Sequence, residues 1–368
     1  MSATPAAEPK PEMAPEVEPD PPGTVLLREI REQPAALRRL LGHAEEYAAV
    51  AATARARGLD LVRMVGHGSS DNAASYGVYA FGLLPAWTAL RDSISLSVYY
   101  GASVDLRGSC VVALSQSGQT PDVLEYVQRA RARGAFTVAI TNEPESELAR
   151  TAEAVLPLAA GPEHAIAATK TYTGQVAALA LLAGHAAGRG DELRDGIART
   201  ADLLEELLPV LERRLSEIAV SLAFVGRMFV IGRGPEFATA REISLKLLET
   251  CRVAAEPLTA TDLVHGPVAA IDGLFPVWTI ASADAGLPAV RDAAERAREA
   301  GATLISSGTA AAEIAGAAHY LPVPPPPLSL LTPLLSAAPG QLLAWALAQA
   351  KGLDPDRPSG LSKVTLAR

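Results

Sequence analysis

The chain has 368 residues, of which 49% are hydrophobic, and its 41 acidic and 32 basic side chains give a net charge of −9. This length and apolar content suit two domains with substantial cores, while the acidic balance and the lack of a long basic run exclude a polyanion-binding surface, so no nucleic acid partner is expected. Two cysteines, Cys110 and Cys251, without ligand spacing exclude a disulfide framework and fit a reducing, cytoplasmic compartment.

Residues 1–23 hold seven prolines, five acids and one lysine, with no basic segment leading into an apolar one. They read as a disordered tail and not as a signal peptide. From Leu61 onward, apolar runs alternate with amphipathic helical stretches, the pattern of parallel βαβ units. The first turn, "GHGSSDN", places Ser69 and Ser70 between a strand and a helix. Asp71 stands where the third glycine of a dinucleotide fingerprint would be, so no nicotinamide cofactor is expected.

The stretch "ALSQSGQTPDV" (Ala113 to Val123) is the end of an apolar run, a hydroxyl-rich glycine turn and a helix start. Such a turn presents unpaired N–H groups and the positive end of a helix dipole. Ser115, Ser117 and Thr120 add neutral donors and Gly118 admits close approach, which together describe a cradle for a phosphate monoester. The plainer alternative is a helix N-cap, but a cap needs one hydroxyl and this turn has three plus Gln116.

A polar stretch near Asp191 to Glu217, with Glu, Arg and Leu at helical spacing, reads as a linker helix. Beyond it the chain repeats itself. "RMVGHGSSDNAASYGVYAF" (Arg63 to Phe81) echoes "FVIGRGPEFATAREISLKL" (Phe229 to Leu247), and Val111 to Asn142 echoes Val277 to Gly308. Set against Ser282, Ala283, Asp284 and Ala285, the residues Ser115, Gln116, Ser117 and Gly118 alone keep an anion-binding turn. Glu242, Lys246 and Glu249, at i, i+4 and i+7, share one helix face, which by spacing alone fits a solvated salt-bridging stripe. Ile314 to Ala350 carries no charge, yet its prolines at 322, 324 to 327, 333 and 339 break it into pieces too short to span a bilayer, and a buried segment is expected with no membrane partner. The six histidines show no paired ligand spacing, so no metal is expected.

"SQSGQTPDVLEYV", "AATKTYTGQ" (Ala167 to Gln175), "GRGPEFATAREISLKLLE" (Gly232 to Glu249), "HGPVAAID" (His265 to Asp272) and "KGLDPDRPSGLSKVTL" (Lys351 to Leu366) resemble, in order, the double sugar isomerase (SIS) domain proteins. Within these the chain is similar to the isomerase half of glutamine–fructose-6-phosphate aminotransferase and to SIS-type glucosamine-6-phosphate deaminases. Even "REIREQPAALRRLL" (Arg28 to Leu41) resembles the segment preceding the first SIS domain. The resemblance implies an α/β fold of two tandem SIS domains, each a flavodoxin-like three-layer sandwich on a parallel sheet. The expected boundaries are a tail over 1–23, a first domain over 24–195, a second over 196–345, and a C-terminal tail over 346–368 carrying an active-site lysine.

By the same resemblance Glu249 is the base that moves a proton between C1 and C2 of an open-chain sugar phosphate, with Glu242 and Lys246 in support. His265 opens the sugar ring, reaching in from the other subunit of a homodimer, and Lys363 is a candidate electrophile or clamp. Ser70, Ser115, Gln116, Ser117 and Thr120 hold the phosphate, and Ser69, Ile166, Ala168 and Ser362 line the sugar. No cofactor is implied. The chain departs from the pattern at Ala168, where the family has serine, and at Val264, where it has lysine. No glutaminase segment with a catalytic cysteine precedes these motifs, so glutamine-dependent synthesis is not expected. The expected substrate is a hexosamine 6-phosphate and the first expectation is deamination to fructose 6-phosphate and ammonia. The alternatives are 2,3-elimination from N-acetylglucosamine 6-phosphate and a phosphosugar sensor without turnover.

Overall fold

A computed structural model describes residues 20–363. Most of the tail expected over 1–23, and residues 364–368, therefore lie outside the described residues. Three helices open the fold: α1 (Thr24–Arg31), α2 (Gln33–Leu41) and α3 (Ala44–Ala56). The first α/β unit follows as β1 (Leu61–Val65), α4 (Ser69–Leu83), β2 (Thr88–Arg91), α5 (Ile94–Val98), β3 (Ser109–Ser115), α6 (Pro121–Ala132), β4 (Phe136–Thr141), α7 (Glu147–Thr151), β5 (Ala154–Pro157) and α8 (Lys170–Ala186). After α9 (Gly190–Ser221), the second unit runs β6 (Arg227–Gly232), α10 (Glu236–Cys251), β7 (Ala254–Thr259), α11 (Ala260–Val264), β8 (Pro276–Ile280), α12 (Leu287–Glu299), β9 (Thr303–Gly308), β10 (His319–Pro322) and α13 (Pro333–Ala350).

Both sheets are wholly parallel. Their orders, β2-β1-β3-β4-β5 and β10-β9-β8-β6-β7, are the same doubly wound topology, as the tandem SIS fold requires. Parallel strands covered on both faces read as unbroken apolar runs, and β3 is buried at all seven positions. Alternate side chains enter different cores. Val62, Val112 and Val138 join a central core that continues through α8, α9 and α13 to Val230, Trp278 and Ile305 of the other sheet. Val111 and Ala113 instead face the core under α6, and Val277 and Leu304 face the core under α12. The two sheets thus enclose one shared helical layer in which α4 packs on α10. The residue 195/196 boundary falls inside the continuous α9, which at about 1.5 Å per residue runs roughly 48 Å between the units.

Two expectations need correction. Strand register pairs Val65 with Ala113 in the first sheet and Ile231 with Thr279 in the second, a constant offset that sets Ser115 opposite Ala281 and Gln116 opposite Ser282. Matching serine to serine by letter sets the two turns one residue out of step, and backbone pairing corrects it. Nor do the prolines cut the charge-free segment into short pieces, because Pro333 opens α13 and Pro339 lies within it. A proline in the first turn forfeits no bond, and Pro339 loses one ladder bond in a helix whose burial supports it: 89% of the apolar window within Ser329–Ala350 is buried. Gly340 beside it lets α13 close on α10, since a Cβ there would stand 2.2 Å from Ile243 Cγ1.

Candidate active site

The carboxyl ends of β1 and β3 lie at the point where the strand order reverses, the place where doubly wound sheets bind ligands. Gly118, at φ 61°, turns the chain after β3. A Cβ there would also meet Ser146 Oγ at 2.0 Å, so the turn admits glycine on two grounds. Ser115 Oγ accepts the Gly118 N–H at 3.0 Å and lies 3.3 Å from Thr120 Oγ1. Thr120 stands at the N-cap of α6 but its hydroxyl caps nothing. Ser115, Gln116, Ser117 and Thr120 instead line a cavity of about 550 Å³, joined by Ser69 and Ser70 from the start of α4. Gln175 of α8 donates to Ser70 Oγ at 2.9 Å and fixes that hydroxyl.

The stripe on α10 is not solvated. Glu242 and Lys246 have side chains only 1% and 2% exposed, and Glu249 reaches the cavity at 23%. Glu242 accepts Ser69 Oγ at 2.9 Å and Asn72 Nδ2 at 2.8 Å, so α10 is tied to α4 across the two units. Lys246 Nζ lies 2.6 Å from Glu249 and 3.5 Å from Glu242. Burial alone would lower the lysine pKa, but Glu242 and Glu249 outweigh it and hold it at about 12. Burial raises the Glu242 carboxyl, against the pull of Lys246 and its two hydrogen-bond donors. Lys246 is thus a fixed cation that can keep the neighbouring carboxylate oriented.

The opposite wall is the loop before α8 with the C-terminal segment. Ile166 and Ala168 face the cavity there, as do Leu361, Ser362 and Lys363. Lys363 Nζ donates to Glu163 at 2.9 Å and to the Ala165 carbonyl at 2.6 Å. Burial raises the Glu163 carboxyl, but Lys363, the Thr169 N–H and the Thr171 hydroxyl prevail and hold it below the ordinary range. This segment is anchored through Asp356, which accepts the N–H groups of Gly23, Val25 and Leu26 at the start of α1.

Of the residues expected from sequence, twelve meet in this one cavity: Ser69, Ser70, Ser115, Gln116, Ser117, Thr120, Ile166, Ala168, Lys246, Glu249, Ser362 and Lys363. Glu242 lies behind the wall, bonded to Ser69. His265 caps α11, is exposed, and does not line the cavity of its own chain. His67, Asp122, Tyr99 and Glu163 also line the cavity and were not anticipated. His67 stood within the quoted "GHGSSDN", but no spacing links it to Asp122, 55 residues away. Among the described residues no group of three His, Cys, Asp or Glu side chains is arranged to hold a metal ion.

The corresponding turn of the second unit is filled by the chain itself. At the offset fixed by register, Ser70 corresponds to Glu236 and Gly118 to Asp284. Glu236, 1% exposed, accepts the hydroxyls of Ser282 at 2.7 Å, Ser336 at 2.8 Å and Thr239 at 2.7 Å. Asp284 accepts the Gly286 N–H at 2.7 Å.

A family model described as the SIS domain matches residues 60–184 and again 221–350. The glutamine–fructose-6-phosphate aminotransferase of Aeropyrum pernix is 34% identical over 349 residues, covering 92% of this chain and 56% of that protein. The aminotransferase of Symbiobacterium thermophilum is 36% identical over 355 residues, covering 92% and 58%. The chain therefore spans little more than half the length of these relatives. Among solved structures, a candidate phosphosugar isomerase from Silicibacter pomeroyi DSS-3 superposes with a TM-score of 0.82 at 32% identity, covering 90% of this chain and all of that one. A glucosamine-6-phosphate deaminase from Thermotoga maritima shares the fold at a TM-score of 0.74 and 21% identity, covering 94% and 100%.

Proposed function

We propose, on the premise that this chain belongs to the SIS-domain family, that it takes the open chain of a hexosamine 6-phosphate, moves its C2 proton and releases the nitrogen as ammonia. The observation that carries this reading is the pairing of Glu249 with Lys246 at 2.6 Å in the cavity whose other end is the hydroxyl-lined turn. With the phosphate against Ser115, Ser117 and Thr120, the sugar carbons extend toward α10. Glu249 removes the C2 proton as general base, the resulting enolamine is protonated at C1, and the ketose imine at C2 adds water and expels ammonia. Carbon, nitrogen and proton balance: glucosamine 6-phosphate and water become fructose 6-phosphate and ammonia.

Lys363, paired with Glu163 at 2.9 Å, takes the role of hydrogen-bond donor to a substrate oxygen in this reading, and its release from that pair would free it to form an imine. Ring opening is assigned to the partner subunit's His265 in a homodimer, which agrees with the exposure of His265 on its own chain. Ala168 brings a methyl where a hydroxyl would bind sugar, and this observation favours a second reading: room for an N-acetyl group and elimination of the 3-hydroxyl.

The test is to incubate the protein with glucosamine 6-phosphate and with its N-acetyl form, following products by NMR and by an ammonia assay. Ammonia with fructose 6-phosphate is expected from the free amine, falling on the order of a thousandfold in Glu249→Gln. An unsaturated product from the acetylated sugar without ammonia would establish elimination, and binding of either sugar without turnover would overturn both.

A further inference from the structure

His67 and Asp122 form a pair that the proposed chemistry leaves unused. His67 follows β1 in the glycine turn, with Gly68 at φ 55° beside it, and its Nε2 lies 2.8 Å from Asp122 Oδ2. Asp122 is in the first turn of α6, two residues beyond Thr120, and accepts its neighbour Val123's N–H with its other oxygen at 2.9 Å. Tyr99, just after α5, donates its hydroxyl to the same carboxylate at 3.3 Å. The carboxylate is 8% exposed and fully engaged, whereas the imidazole it holds is 55% exposed and lines the cavity.

Charge balance gives this pair a task. The cavity is lined by three carboxylates, Asp122, Glu163 and Glu249, and two ammonium groups, Lys246 and Lys363. Both lysines are taken up in ion pairs, with Glu249 and Glu163. Without His67 the lining is therefore net negative where a phosphate dianion must enter, and Ser115, Ser117 and Thr120 offer only neutral donors. A carboxylate at the first turn of α6 is the group such an anion would meet, and His67 is the group in contact with it.

Building on the phosphosugar reading, we propose that His67, oriented by Asp122, is the cationic ligand of the substrate phosphate and screens it from the Asp122 carboxylate. Binding a dianion beside the imidazole favours its charged form, so the complex takes up a proton at His67. The groups facing it are Asp122 from α6, Tyr99 at the end of α5, Lys246 and Glu249 from α10, and Glu163 and Lys363 across the cavity. Asp71, in the helix that follows the turn, is engaged by Arg91 and Arg241.

Titration calorimetry with fructose 6-phosphate and with fructose, each in two buffers of different ionisation enthalpy, tests this. The wild-type chain is expected to bind the phosphate ester and to take up more protons per ester bound than His67→Gln, by up to about one. His67→Gln is expected to bind the ester on the order of tenfold more weakly, and His67→Lys to restore affinity without the proton uptake. In turnover the loss in His67→Gln appears in KM with kcat little changed. Equal affinity and equal proton uptake in wild type and His67→Gln would overturn the assignment, as would failure of His67→Lys to recover affinity in a folded protein. If the wild-type chain binds no hexose 6-phosphate, it is the phosphosugar reading that fails, which the same titration distinguishes.

Discussion

The carboxyl of Glu29 is buried between α1 and the loop before α8, where it accepts the N–H groups of His164 and Ala165. Burial pushes its pKa up to about 7; the His164 N–H works against that shift and nearby Glu163 adds to it. The folded chain therefore keeps a proton there after an unfolded chain, titrating near 4.5, has lost it. The stability this group contributes is fully present at acid pH and falls away as the pH rises from about 4.5 to 7. Melting temperatures measured across that range should decline in wild type relative to Glu29→Gln, and parallel curves would contradict the shift. Glu29 could not be found by spacing, because its partners are 135 and 136 residues away. The stripe of Glu242, Lys246 and Glu249 could, since a helix alone fixes its geometry. Its burial could not, because α4 covers it from the other unit.

At the level of elements, the turns after β1 and β3 were legible because glycine, hydroxyls and a helix start occur together in a few residues. Helix α1 shows where that legibility ends. No side chain at its own N-cap accepts its free N–H groups, and Asp356, 330 residues or more along the chain, accepts three of them. The same Asp356 offers its carbonyl to the Ile166 N–H, so one residue ties α1, the cavity-lining loop before α8 and the segment carrying Lys363 together. Asp356→Ala should lower stability by about 1–2 kcal/mol, as for loss of a helix cap, and should also raise KM for the sugar phosphate. Thermal melts paired with kinetics check this; a lower melting temperature with unchanged KM would make the contact purely structural. The unbroken run of α13 through Pro339 was illegible for a related reason, since proline's local penalty is visible in sequence and the packing of α10 and α9 around it is not.

The molecule as a whole is one topology used twice around a shared helical layer, and the repeat in sequence was enough to see the duplication but not the layer. The divergence of the two turns was also legible, from the loss of hydroxyls and glycine in the second, although the register was off by one. What the letters did not convey is how the second turn is satisfied. Glu236 and Asp284 stand there as tethered competitors: held in place covalently, they already bond Ser282 and Gly286, and a dissolved phosphate ester would have to displace an intramolecular partner. A duplicated chain of this kind should therefore titrate as a univalent one. Calorimetric saturation is expected at a single equivalent of sugar phosphate per chain, and two equivalents would mean that an internal carboxylate can be displaced.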